Sequence, residues 1–417
     1  MLDVNLLRKN PDRIAASLAH RGTTGVDLDS LSELDEQRRS VRAEAEGLRA
    51  EQKELGGRVA RLEGADKEAA IARGSEIAAA YKAKLAEADQ LDSEFEAIWV
   101  PLPNLVHESV PRGESEEDNQ EIKQWGEVPR FSFPVKDHLE LAASTGSIDM
   151  ERAAKISGSR FGLLTGMAVF MEFALVRWAL DRLAGEGFIP VVPPVMVREE
   201  ALFGTGFFPD DAEQVYSIPA DDLYLVGTSE VALASMHGDE IFSADEIPRR
   251  YAGFSTCFRR ESGAAGRDTR GLFRVHQFDK VEMFSFCSPE VSWEEHDYLF
   301  AREEALVQEL GIPYRVVNVC SGDLGASAAK KYDIEAWFPG QERYREITSC
   351  SNTTDYQSRR LKIRMKDQAG NRLLHTLNGT AVAVGRTLVA IMENFQQADG
   401  TVRVPAALVP YTGFESF

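Results

Sequence analysis

Cysteine is scarce in this sequence and its spacing does not suit metal or disulfide chemistry. Cys257, Cys287, Cys320 and Cys350 are widely separated among 417 residues and form no CxxC pair. That argues against a disulfide framework and a structural zinc site, so reduced thiols and no zinc are expected. Long apolar stretches are missing too. No run reaches the roughly 18 residues a membrane span needs, and the opening "MLDVNLLRKNPDR" is too acidic and too poor in apolar residues for a signal peptide. A cytoplasmic protein without a membrane partner is expected. Basic residues are outnumbered, 47 Lys and Arg against 67 Asp and Glu, for a formal net charge of -20. A protein that coats DNA or other nucleic acid nonspecifically needs the opposite balance, although a local basic patch stays open. The sequence contains no GxxxxGK[ST], no GxGxxG between a strand and a helix, and no HExxH, which sets aside P-loop, Rossmann and zincin chemistry.

What is present divides into two unlike parts, as a length beyond one ordinary core predicts. From about Leu31 apolar residues recur at three- and four-residue steps through Leu34, Val41, Ala45, Leu48, Leu55, Val59 and Leu62, interrupted by Arg38 and Gln52. After "EGADK" a looser stripe runs through Ile77, Tyr81, Leu85, Ala88, Leu91, Phe95 and Ile98. Two long helices over about 28–98 should fold back as an antiparallel hairpin, within an N-terminal domain of residues 1–105. Such an arm has little core and suits reaching toward a partner; a dimerisation coiled coil fits the same heptads. Its charges mostly describe a solvated face, with Arg38, Arg42, Arg49, Lys53, Arg58 and Arg61 as candidates for contacting a phosphate backbone. Proline, charge and polar residues across 106–130 break every helical period, which predicts a connector.

Residues 131–417 read as short strands between helices, an α+β domain. "MAVFMEFALVRWALDRLAGEG" is helical, "FIPVVPPVMV" extended, and "DDLYLVG" a strand before a helix starting in "TSEVALASMH". "LKIRMK" alternates as a strand, and "TAVAVGRTLVAIMENFQ" changes from strand to helix near Gly385. "RYAGFSTCFRRE" and "LFRVHQFDKVEMFSF" are expected to be paired strands around a glycine-rich loop holding Gly263, Gly266, Arg267, Arg270 and Gly271. A period of two then places Arg274, His276, Phe278, Lys280 and Glu282 on one face, and Cys257, Arg259 and Glu261 on one face of the partner. Guanidinium groups, a flat ring and carboxylates on one concave surface suit a nucleotide and an amino acid. A salt-bridge ladder on an exposed hairpin fits the same pattern.

In order and spacing these segments resemble bacterial-type seryl-tRNA synthetases, class II aminoacyl-tRNA synthetases, over essentially the whole chain. "GFIPVVPP" with Pro194 resembles class II motif 1; "FRRE" with "RVHQFDKVE", motif 2; "GTAVAVGRTLVAIMEN" with Arg386, motif 3. "VGTSEVAL", "REITSCSN", "LLRKNPD" and "PNLVHESVPRG" also fit. The resemblance implies an antiparallel sheet flanked by helices, an N-terminal coiled-coil arm, a homodimer, and ATP-dependent charging of tRNA(Ser), and of tRNA(Sec) where one exists, with L-serine. It implies catalytic contacts from Arg259, Arg274 and Arg386. It implies ATP contacts from Arg259, Arg260, Glu261, Val275, Phe278, Glu346, Ile347, Thr348, Ser349 and Arg386, with Mg2+ at Glu346 and Ser349. The serine pocket would comprise Thr228, Ser229, Glu230, Glu282, Asn378 and Thr380. Plainer roles fit some of these equally: a helix N-cap for Thr228, a paired strand carboxylate for Glu282, a solvated loop acid for Glu346. An amino-acid ligase acting on a carrier protein, expected to lack the arm, and a noncatalytic tRNA-binding paralogue, expected to lose ATP-site residues, are the alternatives.

Overall fold

The computed structural model describes residues 1–262, 270–368 and 370–417. Contacts divide the chain into two units, Met1–Ala19 with Thr23–Leu102, and His20–Gly22 with Pro103–Phe417. The first unit begins with two short helices, α1 (Val4–Lys9) and α2 (Pro11–His20), followed by α3 (Leu28–Val59) and α4 (Gly64–Trp99). Asp27 caps α3 by accepting from the backbone N–H groups of Asp29 and Ser30. Gly64, at φ +57°, opens α4 after a four-residue turn in a conformation that favours glycine. At 32 and 36 residues the helices run about 48 and 54 Å. Leu31, Val41, Ala45, Ile77, Ala88 and Phe95 are buried along the seam, as the heptads predict. The stripe of α4 ends differently: Ile98 is 47% exposed and Trp99 is buried in its place.

Arg38, which interrupts the heptads, belongs to a polar base of the arm. Asp35 is buried and binds Arg8 at 2.7 Å, Arg38 at 2.8 Å and Arg39 at 3.0 Å. Arg38 also reaches Asp92 at 3.1 Å, with its guanidinium 4.0 Å from the Phe95 ring centre. Arg42 pairs with Asp89 and Asp92. Arg38 and Arg42 are thus ion-paired across the hairpin to Asp89 and Asp92, carboxylates that a phosphate backbone would have to compete with. Arg49, Lys53, Arg58 and Arg61 lie exposed farther along α3 and its end. Burial alone would raise the Asp35 carboxyl, but hydrogen bonds from Arg8 and Arg38 reverse that and hold it at about 2 against an ordinary 3.8. Because the folded value is the lower one, this stabilisation is complete above about pH 4 and disappears as the pH falls toward 2. Asp35→Ala leaves three guanidinium groups without their shared acceptor and should destabilise the first unit by about 2–3 kcal/mol, the low end for a broken buried pair because its partners are partly solvated. Thermal unfolding at pH 7 measures it.

The second unit is built on an eight-stranded sheet. In chain order its strands are β1 (Gln120–Trp125), β2 (Ile189–Val191), β3 (Arg249–Phe258), β4 (Gln277–Cys287), β5 (Tyr314–Asn318), β6 (Lys330–Phe338), β7 (Arg343–Thr354) and β8 (His375–Ala383). Their spatial order is β1-β5-β6-β7-β8-β4-β3-β2. The strands pair antiparallel, except that β2 runs parallel to β3. Helices α5 (Met167–Gly185), α7 (Ser292–Leu310) and α9 (Val384–Asn394) share one core with one face of this sheet; α6 (Glu230–Ser235) and α8 (Tyr356–Leu361) are short. On β4 the alternation is explicit, with Val281 and Met283 in that helix-covered core and Phe284 and Phe286 in a smaller cluster.

Three local readings gain detail or change. The connector 106–130 contains a strand, because Gln120–Trp125 pairs with β5 as the sheet's edge strand; all of its residues but Trp125 are exposed, as a sheet edge permits. In "LKIRMK", Leu361 ends α8 and the strand begins only at Arg364, since Lys362 takes the left-handed conformation at φ +56° that closes the helix. Strand β4 begins at Gln277, so Arg274 and His276 precede it and the period of two does not place them.

Candidate active site

Phe278, Lys280 and Glu282 share the face of β4 opposite Val281 and Met283, as the alternation predicts. Above them is a cavity of about 280 Å3 whose walls include Arg259, Glu261, Arg274, Val275, Phe278, Lys331, Glu346, Ile347, Ser349 and Arg386. Three arginines from separate segments therefore meet in one recess. Arg259, just beyond β3, donates through Nε to the carbonyl of Gly227 at 3.2 Å, and its guanidinium lies 5.4 Å from the Phe278 ring centre. Arg386 enters from the first turn of α9. Its Nη1 meets Glu346 Oε2 at 3.2 Å and donates to the Glu346 carbonyl at 3.0 Å, while Nε donates to the Phe273 carbonyl at 3.3 Å. A cation is disfavoured beside a helix N-terminus, and here Glu346 and the Phe273 ring, 4.9 Å away, compensate.

Arg274 arrives by loop geometry and not by strand phase. Glu261 has φ +52°, uncommon for a residue with a side chain, and its carboxylate meets Arg274. His276 fastens the ends of the loop: its Nδ1 lies 2.9 Å from the Arg259 carbonyl, and its own carbonyl accepts from the Arg259 N–H at 2.9 Å. Arg267 lies outside the described residues, and Arg270 is exposed.

Glu346 lies on β7 and is no loop acid. Burial would raise its carboxyl, but Arg386, Lys331 and Arg259 outweigh that and hold it below its ordinary value. A depressed carboxylate with the Ser349 hydroxyl on the same cavity wall offers hard oxygen donors, the chemistry Mg2+ takes when phosphates and water complete its shell. Among the described residues no group of three or more His, Cys, Asp or Glu is arranged to hold a metal by itself.

Beside the cavity the sheet buries a polar group. Glu282 is fully buried; Lys280 Nζ lies 2.5 Å from it, Asn378 Nδ2 donates to it at 3.1 Å and Thr380 Oγ1 at 3.4 Å. Thr228, Ser229 and Glu230 are buried at the start of α6, where the Thr228 hydroxyl accepts from the Glu230 N–H at 3.3 Å and the Ser229 hydroxyl donates to the Gly253 carbonyl at 3.2 Å. Gln357, on α8, donates to Glu230 Oε1 at 2.7 Å and accepts from the Thr376 hydroxyl at 2.9 Å. Burial, and then Glu282, push the Glu230 carboxyl up to about 7.

Two residues expected at the nucleotide are elsewhere. Arg260 is exposed, with its backbone N–H on the Gln214 carbonyl at 2.9 Å and its guanidinium 5.5 Å from the Tyr216 ring centre. The Thr348 side chain points to the helix-covered face and donates to Glu303 at 3.2 Å. Lys331 and Phe273 line the cavity and were missed, although the alternation of "KKYDIEAW" marks Lys331. Gln357 carries no such signal, since a distant helix delivers it.

Residues 1–106 match the seryl-tRNA synthetase N-terminal domain, and residues 215–395 match the tRNA synthetase class II core domain (G, H, P, S and T). The chain is 52% identical over 413 residues to the serine--tRNA ligase of Acidothermus cellulolyticus and 50% identical over 416 residues to that of Streptomyces coelicolor. Each comparison covers 99% of this chain and 98% of the relative. Its fold superimposes on the crystal structure of seryl-tRNA synthetase from Pyrococcus horikoshii complexed with ATP, with a TM-score of 0.93 and 43% identity, over 100% of this chain and 99% of the other. Given this likeness along its whole length in sequence and in fold, the chain belongs to the seryl-tRNA synthetases, with a class II core.

Proposed function

We propose that the chain activates L-serine with ATP and transfers it to tRNA(Ser), and to tRNA(Sec) where the host makes one. The observation that carries this reading is the adjacency of a cavity lined by three arginines with the buried Glu282–Asn378–Thr380 group. A carboxylate oxygen of serine attacks the α-phosphorus, the bond to the bridging oxygen breaks and pyrophosphate leaves. A terminal ribose hydroxyl of the tRNA then attacks the carbonyl carbon of the adenylate, and AMP leaves. No protein nucleophile is needed, so positioning and charge stabilisation do the work. In this reading Arg259 holds the α-phosphate, Arg274 and Arg386 the outer phosphates, Phe278 stacks on adenine and the Val275 backbone reads its edge. Glu261 and Ile347 complete the ATP wall. Glu346 and Ser349 would hold Mg2+, which neutralises phosphate charge. Glu282 and Glu230 suit the serine ammonium, with Thr228, Ser229, Asn378 and Thr380 as polar partners.

Residues 1–105 would serve as the tRNA-binding domain and 131–417 as the catalytic domain. A homodimer is supported by Met167, Phe170 and Phe173, exposed at helical spacing on α5, beside exposed Val192 and Met196 near β2. No described helix is long and apolar enough to cross a membrane, consistent with cytoplasmic work on tRNA.

Serine-dependent ATP–pyrophosphate exchange, compared with alanine, threonine and glycine, tests the activity. Alanine and glycine leave buried hydroxyl partners unpaired and should be activated about 10^3-fold or more less efficiently. Threonine adds a methyl group to a filled site and should be rejected as well. Equal exchange with alanine would overturn the assignment of the buried group.

A further inference from the structure

Beneath the buried polar group, on the helix-covered side of the sheet, lies a carboxyl that the proposed chemistry does not use. Glu303, on α7, is fully buried. Among the described residues no lysine, arginine or histidine is paired with it, and its Oε1 has no hydrogen-bond partner. Its Oε2 accepts from the Thr348 hydroxyl at 3.2 Å. The contact with β8 is close: a Cβ added at Gly379 would stand 2.9 Å from Glu303 Oε1 and 3.2 Å from the Met283 methyl.

These neighbours place Glu303 under both halves of the site. The pairing of β7 with β6 shifts register at Ile347, so the Thr348 side chain faces α7 while Glu346 and Ser349 both line the cavity. Gly379 lies between Asn378 and Thr380, whose side chains reach Glu282 on the other face. The sheet is one strand thick here, so anything that fixes Thr348 and Gly379 from below fixes the groups above.

We propose that Glu303 is a positioning residue for the amino-acid pocket, bonded to Thr348 and packed against Gly379 of the neighbouring strand from beneath the sheet. A buried carboxyl without a cation serves this purpose as a neutral acid, because an isolated buried carboxylate is strongly disfavoured. Burial, and then the charge of Glu282, push Glu303 well above the ordinary carboxylate range. Asp333 acts on it in the same direction. A neutral acid is mimicked by a carboxamide of the same shape.

This inference rests on the activity proposed above, so serine-dependent exchange by the unsubstituted full-length chain is measured first; its absence would sink that activity and not the role of Glu303. With exchange established, Glu303→Ala is expected to raise the serine KM by roughly tenfold, the effect of about one lost hydrogen bond and its alignment, with the ATP KM changed less than about threefold. Glu303→Leu, which fills the volume and keeps the fold if the alanine variant does not, should behave alike. Glu303→Gln should return the serine KM to within about threefold of the parent, a rescue that bulk packing does not predict. An unchanged serine KM in folded Glu303→Ala or Glu303→Leu would overturn the positioning role. A Gln variant as poor as the Ala variant would overturn the neutral acid.

Discussion

Replacing Arg259 by alanine should lower the kcat of serine-dependent ATP–pyrophosphate exchange by about 10^2–10^3-fold, or roughly 3–4 kcal/mol, the loss that follows removal of one preorganised donor to developing charge. The reason lies in where its guanidinium is held. Its Nε is occupied by the Gly227 carbonyl at 3.2 Å and the backbone on either side of the loop is closed by the pair between Arg259 and His276. The terminal nitrogens are left to face the cavity, close to where in-line attack would build charge. Because the contact strengthens as bonding to phosphorus changes, the loss should fall on kcat more than on the KM for ATP or serine. Arg260→Ala is the matched control. Its guanidinium lies over Tyr216, outside the cavity, so exchange should stay within about twofold, as for surface substitutions generally. Near-parental exchange by Arg259→Ala, measured at saturating ATP and serine, would remove Arg259 from the chemistry.

The contrast between Arg259 and Arg260 also marks how far sequence reaches. Wherever a regular strand runs, alternation sorts side chains correctly: Phe278, Lys280 and Glu282 share a face because β4 is paired on both sides and has no freedom to rotate. Where the strand stops, the same rule fails. Arg274 is brought to the cavity by an ion pair with a residue in left-handed conformation, which no periodicity announces. A solvated loop acid is one reading of Glu346, because "QERYREITS" is polar, yet the pairing of β7 with β6 at Glu335 makes it part of the sheet. Tertiary pairing outweighs local composition there. Glu303 and Gln357 were invisible for a different reason. Each is an ordinary polar residue on an amphipathic helix, and only the packing of that helix on the sheet turns it into a buried group with named partners. In the arm, by contrast, Arg38 and Arg42 stand out as basic candidates, but their partners Asp89 and Asp92 lie some fifty residues away, so an internal salt bridge and an open phosphate contact look alike in sequence.

That distinction decides how the arm should be cut to learn what it does. Removing the whole of α3 and α4 would also remove Asp35, Arg38, Phe95 and Trp99, the ion pairs and buried rings that hold the first unit to α1 and the N-terminal residues. Deleting residues 46–82 and closing the gap with a short glycine–serine turn keeps that base, together with the Arg42–Asp92 pair and the Lys84–Glu44 pair at 2.9 Å as the last rung of the shortened hairpin. The removed part carries Arg49, Lys53, Arg58 and Arg61, exposed and without the carboxylate partners that occupy Arg38 and Arg42. With Lys67 and Lys82, also exposed on the removed part, those four cations are candidates for a nucleic-acid backbone, where affinity comes mainly from phosphate contacts and counterion release. Charging of tRNA(Ser) by the shortened protein should therefore fall by roughly 10^2-fold or more at physiological salt, through the KM for tRNA. Serine-dependent exchange should persist, since every wall of the cavity comes from residues beyond 258. Substituting the four cations together by glutamine in the full-length chain should reproduce most of the charging defect and flatten its dependence on salt. Loss of exchange along with charging would make the arm a structural support, and full charging by the quadruple variant would place its tRNA contacts on other residues.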